Sequence, residues 1–143
     1  MGKKRIIKKG GQDSTSLKSR ASSRLPKRKI DRGILNILAT YNNTNLLLTD
    51  LTGNAILSAS SGGLGYKGSK KGTPFAASRA GEVLAEKAQA IGVKDVDVII
   101  KGVGSGRESA IRSFIAKGIN ISSIKDKTPV PFNGPKPKKP RRV

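Results

Sequence analysis

The chain has 143 residues, carries 29 Lys and Arg against 9 Asp and Glu for a formal net charge of +20, and contains neither Cys nor His. That length allows one domain with appendages, and the composition excludes zinc sites built on Cys and His as well as thiol and imidazole catalysis. So large a charge repels itself unless a polyanion cancels it, and the counterions released on binding then drive association, so nucleic acid is the expected partner class. No apolar run approaches the roughly 20 residues of a membrane span, no secretory signal core is visible, and neither tail has the apolar face of an interfacial helix; no membrane partner is expected.

The charge is unevenly placed. Residues 1–32 hold 12 basic and 2 acidic side chains, residues 33–126 hold 11 and 7, and residues 127–143 hold 6 and none. The expected organisation is a basic N-terminal arm over 1–32, a nearly neutral globular domain over 33–127, and a basic tail over 128–143. The arm lacks periodicity and reads as disordered in isolation. It is basic, Ser-containing and poor in acid like an organelle transit peptide, but Lys-rich rather than Arg-dominated. In the tail, prolines alternate with Lys and Arg, which predicts an extended basic ribbon.

Residues 34–40 read as a strand with Leu35, Ile37 and Ala39 on its apolar face. The stretch Tyr41-Asn42-Asn43-Thr44 makes a turn, residues 45–50 a second strand, residues 51–54 another turn, and residues 55–60 a third strand, giving an antiparallel meander. A glycine- and lysine-rich loop follows and runs into a helix that opens on Thr73 and Pro74 and stops at Gly92, with Ala76, Ala80, Val83, Leu84 and Ile91 on its apolar face. Residues 96–101 form a fourth strand with Val96, Val98 and Ile100 inward. A second glycine loop, residues 102–107, precedes a helix in which Ser105 and Glu108 have capping-box spacing and Ala110, Ile111, Phe114 and Ile115 form the core stripe. A last strand covers 119–127, with Ile119 and Ile121 on one face. Phe75 and Phe114, both in helices, are expected in the core. The order β-β-β-α-β-α-β predicts an α/β fold, a mixed sheet of about five strands in which an antiparallel meander is followed by strands joined through helical crossovers.

The first glycine loop, Ser61 to Phe75, is the stretch most suited to binding. Its glycines allow close approach of a partner, Lys67, Lys70 and Lys71 supply cations, and the following helix N-terminus adds free N–H groups. Gly63, Gly65 and Gly68 have the spacing of a dinucleotide fingerprint, but the helix starts several residues too late and the preceding strand belongs to a meander. A triphosphate-binding loop needs Lys then Ser or Thr directly after its second glycine, whereas Gly68 is followed by Ser69 and Lys70. Both glycine loops precede helices, and at one end of the sheet they would form a continuous anion-binding edge. There Arg107 is placed to clamp phosphate, with pairing of Glu108 and Arg112 at i, i+4 as the alternative use of its neighbour. Tyr41, Tyr66 and Phe132 fall in loops or tail beside amide or cationic side chains, a setting for stacking on unpaired bases or for packing on the domain's own surface. Metal-assisted phosphodiester cleavage wants three or four clustered carboxylates; Asp50 and Asp97 meet only if their strands are neighbours, so no enzyme is expected. Asn133-Gly134 is an exposed step open to succinimide formation, glycine offering no side-chain hindrance.

The motifs Tyr41-Asn42-Asn43-Thr44, Thr49-Asp50, Gly53-Asn54-Ala55, Ser61-Gly62-Gly63, Gly65-Tyr66-Lys67-Gly68 and Thr73-Pro74-Phe75-Ala76-Ala77 closely resemble the family of the eleventh protein of the small ribosomal subunit. Lys101-Gly102, Gly104, Gly106-Arg107-Glu108-Ser109-Ala110, Thr128-Pro129, Pro131, Asn133-Gly134 and Arg141-Arg142-Val143 continue the match through about residues 30–143. The resemblance implies a ribonuclease-H-like fold without the nuclease's carboxylates, and a structural role with no catalysis, cofactor, metal or small-molecule substrate. It also implies binding to small-subunit ribosomal RNA at the platform, near the messenger exit and the E site, beside the seventh, eighteenth and, in bacteria, twenty-first proteins. By matching position, RNA contacts are expected at Asn42, Asn43 and Thr44, at Gly62, Gly63, Tyr66, Lys67, Gly68, Lys70 and Lys71, at Arg107, and at Asn133, Lys136, Lys138, Lys139, Arg141 and Arg142. The Pro131-Phe132-Asn133-Gly134 ending resembles the bacterial or organellar branch, so a bacterial ribosome is expected ahead of a mitochondrial or plastid one. The family commonly has prolines where Val103 and Ser105 stand, and His and Cys at Phe132 and Pro135. The alternative function is a free-standing nucleic-acid chaperone or nucleoid protein that binds RNA and DNA through its tails.

Overall fold

The structure, a computed structural model, describes residues 29–140. Five strands, β1 (Arg32–Ala39), β2 (Thr44–Thr49), β3 (Ala55–Ser60), β4 (Asp95–Lys101) and β5 (Asn120–Asp126), form one sheet in the order β3-β2-β1-β4-β5. The meander β1-β2-β3 is antiparallel, and β4 and β5 add in parallel on the other side of β1. This is the mixed five-stranded α/β sheet expected from the element order. Alternation along the strands sets its register. Leu35 and Ile37 face Leu48 and Leu46 on β2, Leu35 also faces Val98 on β4, and all five are buried. A Cβ on Gly33 would lie 2.8 Å from the Thr49 carbonyl oxygen, so the start of β1 is pressed too closely on β2 for a side chain.

Two helices, α1 (Pro74–Ile91) and α2 (Arg107–Ala116), cover the sheet face that carries this apolar set. The start of α1 is fixed as its sequence predicts: Thr73 Oγ1 accepts from the Ala76 N–H at 3.3 Å, and Pro74 occupies the first turn, where its missing N–H costs nothing. Gly92, at φ 103°, closes it in the left-handed conformation. The buried face of α1 is mostly alanine, and a Cβ on Gly81 would fall 1.9 Å from Ser113 Oγ and 3.0 Å from the Ala110 carbonyl oxygen. The two helices therefore cross at near-backbone contact.

That crossing corrects parts of the helix reading. Ser113 is buried in α2, where its hydroxyl donates to the Ala110 carbonyl oxygen, whereas Ile115 is 56% exposed. Val83 is only half-buried. Phe114 is fully buried as expected, but Phe75 is 63% exposed, because it stands one residue before the Ala76, Ala80, Leu84 stripe and so points off the buried face. The Ser105–Glu108 capping box is absent: α2 has Gly106 at its N-cap with no side-chain cap, and Glu108 pairs instead with Arg112 at 3.4 Å. A register shift between β4 and β5 at Val96/Asp97 leaves Ile121 beside Val96 and sets Ser123 beside Asp97, with Ser123 Oγ donating to Asp97 at 2.8 Å.

Candidate nucleic-acid interface

Parallel addition of β4 and β5 brings the carboxyl ends of β1, β3, β4 and β5 to one end of the sheet, together with the start of β2. Both helices begin at this end, so the partial positive charges of their N-termini share it with the loops before them. The two glycine loops meet here: Ser105 Oγ donates to the Gly72 carbonyl oxygen at 2.8 Å. Both close over the Tyr41–Thr44 turn. A Cβ on Gly72 would come within 2.1 Å of the Tyr41 carbonyl oxygen, and one on Gly104 within 2.3 Å of the Thr40 carbonyl oxygen. Side chains at either position would lift a loop off the sheet.

The lysine-rich loop is two short 3-10 turns, Gly62–Leu64 and Gly68–Gly72. Ser61, completely buried, ties it down: its Oγ lies 2.5 Å from Asn43 Oδ1 and 2.7 Å from the Lys71 carbonyl oxygen, and accepts from the Thr44 N–H at 3.1 Å. Asn43 Oδ1 also accepts from the Gly62 N–H at 3.1 Å, and its Nδ2 donates to Asn45 Oδ1 at 2.8 Å. Thr44 is buried too, with no hydrogen-bond partner for its Oγ1 among the described residues; a Cβ on Gly106 would reach that oxygen at 2.3 Å. Of the turn residues matched to RNA contacts, only Asn42 is exposed; Asn43 is half-buried and Thr44 lies below the surface. Asn43 and Thr44 thus shape the loop from beneath.

Above this clasp Lys67 and Lys70 are exposed and Lys71 is half-buried, and none of the three has an acidic partner among the described residues. Gly62 is half-buried, and Gly63 and Gly68 are exposed between them. Tyr66 meets Phe75 edge-on, with ring centroids 6.3 Å apart, and the Arg79 guanidinium lies 5.8 Å from the Phe75 centroid. Tyr66 is therefore a member of a surface aromatic pair, while Tyr41 and Phe132 are 80% and 95% exposed. Phe75 was missed as a surface residue; its position beside the alanine stripe is the signal that finds it.

Arg107 is held at the same end. It donates to the Gly102 carbonyl oxygen at 2.9 Å and pairs with Asp126 at the end of β5. Asp126 accepts from the Thr128 side chain and backbone, and with Arg107 these bonds lower its pKa to about 2. Gly102 N–H donates to Thr128 Oγ1, and Lys127 N–H to the Ile100 carbonyl oxygen. Arg107 thus anchors the root of the tail, which leaves the domain beside the glycine loops. Asn133, Lys136, Lys138 and Lys139 are all exposed on it; Arg141 and Arg142, like residues 1–28 of the arm, lie outside the described residues.

Asp50 and Asp97 do not meet, since β1 lies between their strands. Asp50 accepts from Thr52 and Asn54 in the β2–β3 turn, which lowers its pKa to about 2, and Asp97 pairs with Arg32 at 3.1 Å. Among the described residues no three acidic side chains gather to hold a metal, and no helix is long and apolar enough to cross a membrane.

The model of the ribosomal protein S11 family matches residues 33–142, which is most of the chain and includes both glycine loops and the tail. That family is structural rather than enzymatic, and its members bind ribosomal RNA and other ribosomal proteins within the small subunit. The chain belongs to the ribosomal protein S11 family, a structural component of the ribosome.

Proposed function

We propose that the loop-bearing end of the sheet is the surface that grips small-subunit ribosomal RNA, and that it does so at the platform, near the messenger exit and the E site, supporting subunit assembly. One observation carries this reading: Lys67, Lys70 and Lys71 have no acid beside them among the described residues and stand where both helices begin. Phosphate meets three cations there, beside the first-turn N–H groups of α2 that no side chain caps, on a backbone fixed by Ser61 and Asn43 before RNA arrives. Asn42, Gly62, Gly63, Tyr66 and Gly68 form the approach surface around the lysines. The tail extends that surface into crevices the globular part cannot enter, with Asn133, Lys136, Lys138, Lys139, Arg141 and Arg142 as its contacts. Arg107 acts mainly by holding the tail's root to Asp126. The neighbours are the seventh, eighteenth and twenty-first small-subunit proteins, and the ribosome is bacterial, as the Pro131-Phe132-Asn133-Gly134 ending favours.

The test is binding of purified small-subunit ribosomal RNA by the full chain over a salt series. Replacing Lys67, Lys70 and Lys71 together with Ala weakens binding and lowers the log–log salt slope by roughly 2–3, about 0.7–0.9 for each phosphate no longer neutralised. Unchanged affinity and slope would refute the role of the loop. Equal affinity for duplex DNA, abolished when residues 1–32 and 128–143 are removed, would favour a free-standing chaperone.

A further inference from the structure

Both helices lie on one face of the sheet, which leaves the other face without cover from any described element. The residues that alternate with the core set stand on it. Ile34 and Ile99 are half-buried, and Leu38 and Leu47 are 43% and 37% exposed; these four line a groove of about 530 Å³ together with Asn36 and Thr49. Leu38 and Leu47 are two of the larger exposed aliphatic side chains of the domain, and they are contributed by adjacent strands to one surface.

The edges of this groove are charged on one side only. Lys101 lines it, and Lys125, beside Ile99 in the register, and Lys127 line the neighbouring depression. The carboxylate in that depression, Asp97, is already engaged by Arg32 and Ser123. An apolar centre flanked by lysines that have no acidic partner in a salt bridge among the described residues fits a protein segment whose aliphatic side chains alternate with Asp or Glu. RNA fits the lysines but not the centre, since no aromatic side chain stands among the groove-lining residues to stack a base. The chain's own residues 1–28 carry ten Lys and Arg against one Asp, so docking them here would set like charges together. A second copy of the same face would oppose lysines to lysines.

We propose that this uncovered face docks an acidic, aliphatic segment of a neighbouring small-subunit protein, with Ile34, Leu38, Leu47 and Ile99 as its seat and Lys101 and Lys125 as its charge partners. This rests on the chain's place in the small subunit, but not on which loops grip RNA. The test uses intact small subunits containing the full chain with a benzophenone amino acid at Leu47 or, in a separate variant, at Lys67. Irradiation of the Leu47 variant is expected to yield an adduct to another ribosomal protein, in a peptide where Asp or Glu lies within four positions of aliphatic residues. Adding Lys101→Glu and Lys125→Glu is expected to reduce that adduct about tenfold, while the Lys67 variant still gives an adduct to ribosomal RNA with or without them.

Adducts from Leu47 to RNA, to residues 1–28, to a second copy, or to a segment without acidic residues would overturn the proposal, as would no adduct from subunits that contain the variant. A protein adduct from Leu47 with no RNA adduct from Lys67 would instead overturn the loop's role and leave the docking face standing.

Discussion

The two ends of the sheet are built from the same elements and have opposite character. At the loop end, Gly72 and Gly104 are glycine because backbone passes backbone there: each sits against a carbonyl oxygen of the Tyr41 turn region. At the far end, Gly53 and Gly92 turn the chain at positive φ in open space. Charge differs as well, although Arg107 and Asp126 pair at the loop end. At the far end Lys117 meets Glu86 at 2.8 Å, which holds the Glu86 carboxyl below its usual range, and Arg32 meets Asp97. The loop end leaves Lys67, Lys70 and Lys71 without acids among the described residues. One end is finished as a surface for water. The other is built for a partner that supplies the negative charge.

The sharpest way to break this contrast is to fill the loop-end glycines. Gly72→Ala and Gly104→Ala each set a methyl group against a backbone oxygen that cannot swing away, and stability is expected to fall by about 3 kcal/mol, measured by urea unfolding. The far-end counterpart, Gly92→Ala, meets no atom and carries only the strain of positive φ, expected to be about 1 kcal/mol. Equal losses at both ends would erase the distinction.

Acid sharpens the comparison further. Asp50 at the far end and Asp126 at the loop end both have pKa values lowered from 3.8 to about 2. A lowered folded-state pKa gives stability that is complete above the ordinary carboxylate value and is lost as pH falls through the folded one. Melting temperature is therefore expected to fall between about pH 4 and pH 2, and Asp50→Asn and Asp126→Asn each flatten that fall. Only Asp126→Asn should also speed protease cleavage after Lys127, because Thr128 and Arg107 lose their shared anchor. The smallest effect is chemical: Asn133 lies at φ 51° in an exposed tail before Gly134, and peptide mapping of aged protein is expected to find isoaspartate there.

The strands and the start of α1 were legible because their signals are local. Alternation named Leu35, Ile37, Val96, Val98 and Ile100 as core, and Thr73 with Pro74 marked a helix start that needs no distant contact. The residues misread answer to contacts far along the chain. Ser105 bonds to Gly72 rather than capping its own helix, Ser113 is buried by Gly81, and Ile115 yields its place to that crossing. The same holds for the site. Glycines and lysines announce the loop by composition, but Ser61 and Asn43, 18 residues apart, join only once β2 and β3 have paired.

The place of β1 at the centre of the sheet also bears on how the protein is made. It is the first of the described strands to be synthesised, yet it needs β2 on one edge and β4 on the other. The meander can close soon after β3 emerges, but the second edge of β1 keeps its unpaired N–H and C=O groups until residues 95–101 arrive. At about 5–20 residues per second, the roughly 60 residues between the two strands leave that edge open for about 3–12 s. A bare strand edge is a template for wrong pairing. Each new chain thus passes through an interval of several seconds in which its central strand is its most adhesive part, and the docking of β4 brings that interval to an end.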